Sequence, residues 1–431
     1  MKYYSTNNRK DLYTLREAVL KGLAPDKGLF MPESIPVFTR YELESMKGFN
    51  LAEIGLMVSE KLFGDDIPED DLTDLVSEAV NFDTPVIKVE DQIFALELFH
   101  GPTLAFKDVG ARFMARMLGY FTRDLDQEVH VLVATSGDTG SAVANGFLGV
   151  EGVRVHVLYP SGMVSPLQEK QFTTLGNNIT ALEVQGTFDD CQALVKEAFM
   201  DQELGKQMQL TSANSINLAR FLPQSFYYFR AWYQVNSRHV FFSVPSGNYG
   251  NLTAGLIARE MGLPVNMFLS ANNINDIVPS YLESGKFLPR TSVTTIANAM
   301  DVGDPSNFVR ILDLFDGQHA RVSSHLKGYV YSDDEIRNII KRVFRSTGYV
   351  LDPHGATGYQ AAKSFLADNP DATGVFLETA HPAKFIETVE PLIGHPCKVP
   401  ERLAAFSERE KQSIGIEKEF AGFKSYLMNV S

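Results

Sequence analysis

HGPTLAFKD, residues 100–108, comes directly after the apolar run IFALELF (residues 93–99) and directly before an apolar pattern of helical period. The run is of strand type, Gly101-Pro102 is a turn signal that ends it, and Thr103 is placed to cap the helix beyond it. Phe106, Phe113, Met117 and Tyr120, with small Gly110 among them, recur at alternating spacings, the core stripe of a helix. Lys107 stands one step off that stripe, in the first turn. Among Leu104, Ala105 and Phe106 its ammonium would lose hydration, which lowers a lysine pKa toward the nucleophilic amine that can form a Schiff base. The plainer reading makes Lys107 one more solvated cation among 39 lysines and arginines, and the stretch alone leaves both open.

Downstream the chain repeats one plan: a β-branched apolar run, a Gly/Ser/Thr loop, then an amphipathic helix. Residues 128–134 lead into TSGDTG, 153–159 into PSGMVSPLQ, 179–184 into QGTFDD, 239–244 into PSGNYG, and 374–378 into TAHPAKF. Strands alternating with helices imply an α/β fold with parallel sheets covered on both faces, and ligands bind at the carboxyl ends of such strands. Residues 1–85 read as a separate α-rich region, with helical segments near 15–23, 50–63 and 70–82, and a boundary at Thr84-Pro85. The charge-rich end, including SEREKQSIGIEKEF, reads as one or two peripheral helices.

The 431 residues suffice for two or three domains, and 44% hydrophobic with 21% charged content is that of a globular chain. There is no apolar run of about 18 residues, and MKYYSTNNRKDLY has neither a signal-peptide core nor an Arg-rich amphipathic pattern, so a cytoplasmic location is expected. Cys191 and Cys397 lack CxxC spacing, which suggests neither zinc nor a disulfide framework. The net charge of -14 argues against nucleic acid or an anionic membrane as partner. Small anionic ligands, held by local amides and a few buried cations, remain compatible with it.

Ser246, Gly247, Asn248, Tyr249, Gly250 and Asn251 lie between a strand and a helix start, where successive amides form an anion nest and glycines admit a phosphate closely. The loop is neither a Walker loop nor a GxGxxG fingerprint, and an ordinary βα turn is the alternative. Thr135, Ser136, Gly137, Asp138, Thr139 and Gly140 repeat the architecture with hydroxyls added, which suits a carboxylate. Thr379, at a strand end, could bond a ligand ring atom or simply cap a helix. His100, His354 and His381 form no HxxxH or HExxH pair, so no metal site is expected.

A lysine near a helix start, a Ser/Thr-Gly loop, a Gly-rich phosphate loop and a strand-end hydroxyl together form the kit of a pyridoxal-phosphate enzyme. The segments HGPTLAFKD, ATSGDTGSAV, SPLQEKQFTTLG, SANSINLAR, VPSGNYGNLTAG, NAMDV and TAHPAKF, with LREAVLKGLAPDKGLFMPE near the N-terminus, resemble the threonine synthase family in its longer bacterial and fungal branch. The resemblance implies a tryptophan-synthase-β-like fold (fold type II), with two α/β subdomains and pyridoxal 5'-phosphate between them. It divides the chain into an N-terminal domain (1–85), a catalytic region (86–398) and C-terminal peripheral helices (399–431). It implies conversion of O-phospho-L-homoserine and water to L-threonine and phosphate.

Carried over by position, Lys107 would bear the cofactor as a Schiff base and move the protons of the reaction. Gly247, Asn248, Tyr249 and Asn251 would hold its phosphate, and Thr379 would face the pyridine nitrogen. Tyr249 and Asn251 depart from the phenylalanine and aspartate expected in SGNFGD. Thr135, Ser136, Asp138 and Thr139 would grip the substrate carboxylate. Asp138 stands where many relatives of the fold have asparagine, so it is expected to be protonated or turned toward backbone donors. Arg112 and Lys384 are the candidates for the substrate phosphate, with Arg220 a weaker choice. A dehydratase-type eliminase and a non-catalytic ligand-binding relative are the competing readings, and the sequence does not decide between monomer and dimer.

Overall fold

The computed structural model describes residues 1–235 and 237–430. Its first 80 or so residues contain the expected helices, Leu15–Lys21, Leu51–Phe63 and Glu69–Ala79. Each of the first two starts where a side chain satisfies the free amides of the first turn: Thr14 with Glu17, and Asn50 with Glu53, form reciprocal capping boxes. The region also holds three strands that an α-rich reading misses: β1 (Tyr3–Ser5), β2 (Asn8–Tyr13) and β3 (Phe30–Pro32). They pair antiparallel in the order β2-β1-β3. β2 is exposed along most of its length, so its sequence carries no hydrophobic alternation to betray it.

The remaining strands are β4 (Val86–Glu90), β5 (Ile93–Glu97), β6 (Val129–Ala134), β7 (Val153–Pro160), β8 (Ile179–Gln185) and β9 (Gln209–Ser212). They continue with β10 (Val240–Pro245), β11 (Met267–Asn272), β12 (Leu326–Val330), β13 (Thr373–Glu378) and β14 (Ile414–Glu417). Two sheets result, one ordered β12-β11-β10-β13-β5-β4 and the other β14-β8-β7-β6-β9. All pairs are parallel except β4 with β5. Strands β6 and β10 are buried at every residue, which is why they read as mainly apolar runs, broken only by His130 and Ser243, rather than as alternating ones.

The C-terminal segment is not purely helical. β14 extends the second sheet by pairing with β8, and the helix Phe420–Val430 then buries Phe423 and Leu427 against Leu194 and Ala198. Fully burying two such side chains contributes roughly 1.5–3 kcal/mol each, enough to anchor the tail.

The helix Lys107–Thr122 runs through the middle of the molecule and is buried on nearly every side, through Val109, Phe113, Met114, Met117 and Leu118 among others. The expected stripe ending in Phe106 and Tyr120 is therefore too narrow, and those two rings are only half-buried. Gly110 lets another backbone come close, since a Cβ there would stand 2.3 Å from the Arg220 carbonyl oxygen. The N-terminal helices share this core, with the rings of Phe63 and Phe113 5.6 Å apart.

Candidate active site

Lys107 is presented by a backbone splice between two loops distant in sequence. The Phe106 amide donates to the Thr379 carbonyl at 2.8 Å, the His381 amide donates to the Leu104 carbonyl at 3.0 Å, and Ala105 bridges Ala380. The buried Leu104 takes φ 60°, a left-handed turn costing roughly 1–2 kcal/mol in a residue with a Cβ, and the splice holds it there. Lys107 thus begins its helix at the carboxyl end of β13. Thr103 does not cap that helix, as the sequence suggested; its Oγ1 donates to Asp108 Oδ1 at 2.5 Å.

The Lys107 side chain is 15% exposed, with its Nζ 3.8 Å from Asp138 Oδ2 and 4.5 Å from the centre of the Phe106 ring. Burial pushes its pKa down to about 8; Asp138 pulls the other way, while Lys384 and Arg220 add to the fall.

Asp138 overturns the expectation of a protonated or backbone-bonded side chain. Lys384 Nζ lies 2.6 Å from its Oδ1, and Gln168 Nε2 donates to the same oxygen at 2.8 Å. Burial works to raise this carboxyl, but Lys384 and Lys107 outweigh it and hold it well below the usual carboxylate range. It is therefore an anion between two lysines. Lys384 is itself wholly buried, and its remaining contact is to the Thr103 carbonyl at 2.7 Å. The structure thus commits Lys384 to Asp138 rather than to a substrate phosphate.

Arg112 is also corrected. Its Nε donates to the Ala79 carbonyl at 2.9 Å and its Nη2 to the Glu78 carbonyl, closing the C-terminus of the helix Glu69–Ala79. Arg220, the weaker choice on sequence, is 3% exposed, and its Nε and Nη1 have no hydrogen-bond partner among the described residues. Burial pushes its pKa down to about 10, so the guanidinium stays charged at neutral pH. A buried cation with unpaired donors can accept an anion as their partner.

The loop after β10 forms an anion nest. Among the described residues, the backbone amides of 247–251 form no hydrogen bond within the chain. They open the helix Gly250–Glu260, whose preceding residue Tyr249 sits at φ 64°. A Cβ on Gly247 would stand 2.6 Å from the Ala299 carbonyl oxygen and 2.9 Å from Met300 Cα, so this close approach needs glycine. The side chains face away from the nest. Asn248 bonds Ser215 and Ser306, the Tyr249 hydroxyl bonds Ser270 and Asn272, and Asn251 Nδ2 donates to the Pro245 carbonyl. The two departures from the family pattern therefore leave the amides untouched, and a phosphate fits as their acceptor.

In the loop after β6, Thr135 Oγ1 accepts from the amides of Gly137 (2.9 Å) and Gly140 (2.7 Å), so Thr135 shapes the loop rather than offering a hydroxyl to a ligand. The half-buried hydroxyls of Ser136 and Thr139 form no hydrogen bond within the chain among the described residues. Thr379 is 5% exposed, and its hydroxyl has no partner among them either; the cap of the next helix comes from His381 instead.

In-register parallel pairing of β10, β13 and β5 lines up their carboxyl ends roughly 5 Å apart per strand, with the nest, Thr379 and the Lys107 segment following each. The contacts of Asp138 with Lys107 and Lys384 join that edge to the end of β6 in the other sheet. Each of the three histidines has a hydrogen-bond partner: His100 bonds Glu97, His354 bonds Asp352, and His381 accepts from the Ala383 amide. Gln168 is a site residue that sequence reasoning misses, although SPLQEKQ contains it; nothing local marks it as a partner of Asp138.

Three family models cover the chain. "Pyridoxal-phosphate dependent enzyme" matches residues 79–377, "Threonine synthase N terminus" matches 2–80, and "Threonine synthase, C-terminal" matches 355–427. The chain is 43% identical over 434 residues to a threonine synthase of Escherichia coli K12, covering 100% of both. It superposes on the crystal structure of threonine synthase from Escherichia coli with TM-score 0.94 at 42% identity, covering 100% of both chains. It superposes on the PLP-bound threonine synthase from Brucella melitensis with TM-score 0.93 at 36% identity, covering 100% of this chain and 99% of that one.

Proposed function

The chain belongs to the threonine synthase family of pyridoxal-phosphate-dependent enzymes, and from that premise we propose how its own residues convert O-phospho-L-homoserine and water to L-threonine and phosphate. The residues fit the cofactor. The free amides of 247–251 would take its phosphate, the unbonded Thr379 hydroxyl its ring nitrogen, and Lys107 would anchor it covalently through Nζ. Bound there, pyridoxal phosphate supplies an electron sink for negative charge at the substrate's α-carbon.

Everything else falls to side chains of this chain. Lys107, with its proton loosely held, takes the proton lost at carbon and returns one later in turnover. Asp138 stays ionised beside it and keeps the amine aimed, while Lys384 neutralises the surplus charge. Ser136 and Thr139, with the loop amides that Thr135 does not engage, hold the substrate carboxylate. Arg220, whose free donors suit phosphate, holds the leaving group in place of Arg112 and Lys384. Half-buried Phe106 and buried Leu104 keep water from Lys107.

One observation carries this reading: the Lys107 amine, 3.8 Å from an ionised Asp138, stands on the same sheet edge as a nest of unbonded amides. The test is phosphate release and threonine formation from O-phospho-L-homoserine, expected in the native enzyme and lost in Lys107→Ala. Turnover of free threonine without turnover of phosphohomoserine would assign a dehydratase instead. We place the protein in the cytoplasm, in keeping with two free cysteines, one of them buried. No helix of the described residues is long and apolar enough to cross a membrane.

A further inference from the structure

Arg310, on the helix Phe308–Leu314, is completely buried, and among the described residues no carboxylate pairs with it. Its guanidinium is spent on oxygens that carry no charge. Nε and Nη2 donate to the Phe30 carbonyl at 3.2 Å each, Nη1 to the Ser215 carbonyl at 3.0 Å and to Asn307 Oδ1, and Nη2 to the Ile216 carbonyl at 2.6 Å. Its Cζ lies 4.1 Å from the centre of the Phe221 ring. Burial pushes its pKa down to about 9, so it remains a cation at neutral pH. A buried cation without a counter-ion is costly, and an apolar side chain would often serve stability better.

The partners of Arg310 explain its presence. Phe30 belongs to β3 of the N-terminal sheet, whereas Ser215 and Asn307 are the residues that brace Asn248 in the amide nest. Asn248 Nδ2 donates to Ser215 Oγ at 3.1 Å, Asn307 Nδ2 donates to the same oxygen at 2.9 Å, and the Asn307 amide donates to the Asn248 carbonyl at 3.3 Å. Ser306 closes the other side, its amide donating to Asn248 Oδ1 at 2.7 Å. Gly250, the first residue of the following helix, leaves room for Ser215 to press close, since a Cβ there would stand 3.1 Å from Ser215 Cβ.

We propose that Arg310 is a positioning residue for the cofactor-phosphate nest, tying the N-terminal sheet to Asn248 through Ser215 and Asn307. The proposal rests on the assignment of residues 247–251 to that phosphate. In this arrangement the N-terminal domain contributes to cofactor selection without touching the cofactor. The planar fork of Arg310 sets the spacing of two loops, and they set the direction of the nest amides.

The experiment compares the affinity of the apoenzyme for pyridoxal phosphate with its affinity for pyridoxal, which lacks the phosphate. It uses the native chain, Arg310→Lys, Arg310→Met and, as a direct lesion of the nest, Gly247→Ala. Both Arg310 variants are expected to lose about tenfold or more of the preference for the phosphorylated ligand, with pyridoxal affinity held within about twofold. Loss of preference in Gly247→Ala alone would overturn the role of Arg310 and leave the nest assignment standing. Equal weakening toward both ligands, together with a lower unfolding temperature of the apoenzyme, would reduce Arg310 to a weld of the fold and overturn the proposal as well. If Gly247→Ala keeps the native preference, the nest assignment falls and takes this inference with it. Should Arg310→Met fail to fold, Arg310→Lys decides, since it keeps the charge and loses the fork.

Discussion

Lys384 Nζ and Asp138 Oδ1 lie 2.6 Å apart in the interior, and the Lys384 side chain is 0% exposed. Breaking such a pair leaves the buried Asp138 carboxylate with only Lys107, 3.8 Å away, so Lys384→Met is expected to destabilise the apoenzyme by about 3 kcal/mol. The double variant with Asp138→Asn should be less destabilised than Lys384→Met alone, because both charges of the pair are then gone and Lys107, whose pKa is already lowered to about 8, can shed its proton. Urea unfolding of the four proteins measures this, and strict additivity would show that the two residues do not act as a pair.

The pH dependence of the apoenzyme follows from Lys107. Its pKa in the folded chain, about 8, lies below the ordinary 10.5, so the unfolded chain holds more protons between those values. Stability on this account rises with pH across that window, and at pH 7 the charged amine costs on the order of 3 kcal/mol. Lys107→Met should therefore be about 1–3 kcal/mol more stable than the native apoenzyme at pH 7, with the gap closing toward pH 10.5. A constant gap across the series would disprove it.

Gly247→Ala places a Cβ against two backbone atoms of the Asn298–Met300 turn, neither of which can swing aside like a side-chain end. We expect the folded variant to bind pyridoxal phosphate roughly 10- to 100-fold more weakly, by titration of the apoenzyme. Native affinity in this variant would place the cofactor phosphate elsewhere.

Arg112 and Arg220 should behave in opposite ways. Arg112→Ala is expected to lose about 1–2 kcal/mol of stability, from two helix-end carbonyls left open, with KM for phosphohomoserine within about twofold of native. Arg220→Met should raise that KM roughly 10- to 100-fold with little loss of stability, since its Nε and Nη1 bond nothing among the described residues. Steady-state kinetics beside thermal unfolding separates the two patterns.

The parts legible in the sequence are those whose signal is local. Lys107 stands at a strand-to-helix transition, the nest follows a mainly apolar strand, and both are readable within about a dozen residues. β1, β3 and β14 escape such a reading because strands of three or four residues are too short to show a period, and β2 because it is mostly exposed; such strands acquire their identity from partners elsewhere in the chain, as β14 does from β8. The same limit misdirects the charges. Arg112 has the spacing of an active-site arginine, one turn beyond Lys107, yet the carbonyls of a helix from the N-terminal domain claim it first.

The amino-acid order by itself determined the α/β plan and the family, and marked Lys107 and the two Gly/Ser/Thr loops as candidates, because each is written in contiguous residues. Only the tertiary structure decided the state of Asp138, the employment of Lys384 and the availability of Arg220. The energy of a buried charge depends on which opposite charges and dipoles share its low-dielectric surroundings, and Asp138 and Lys384 meet although 246 residues separate them in the chain.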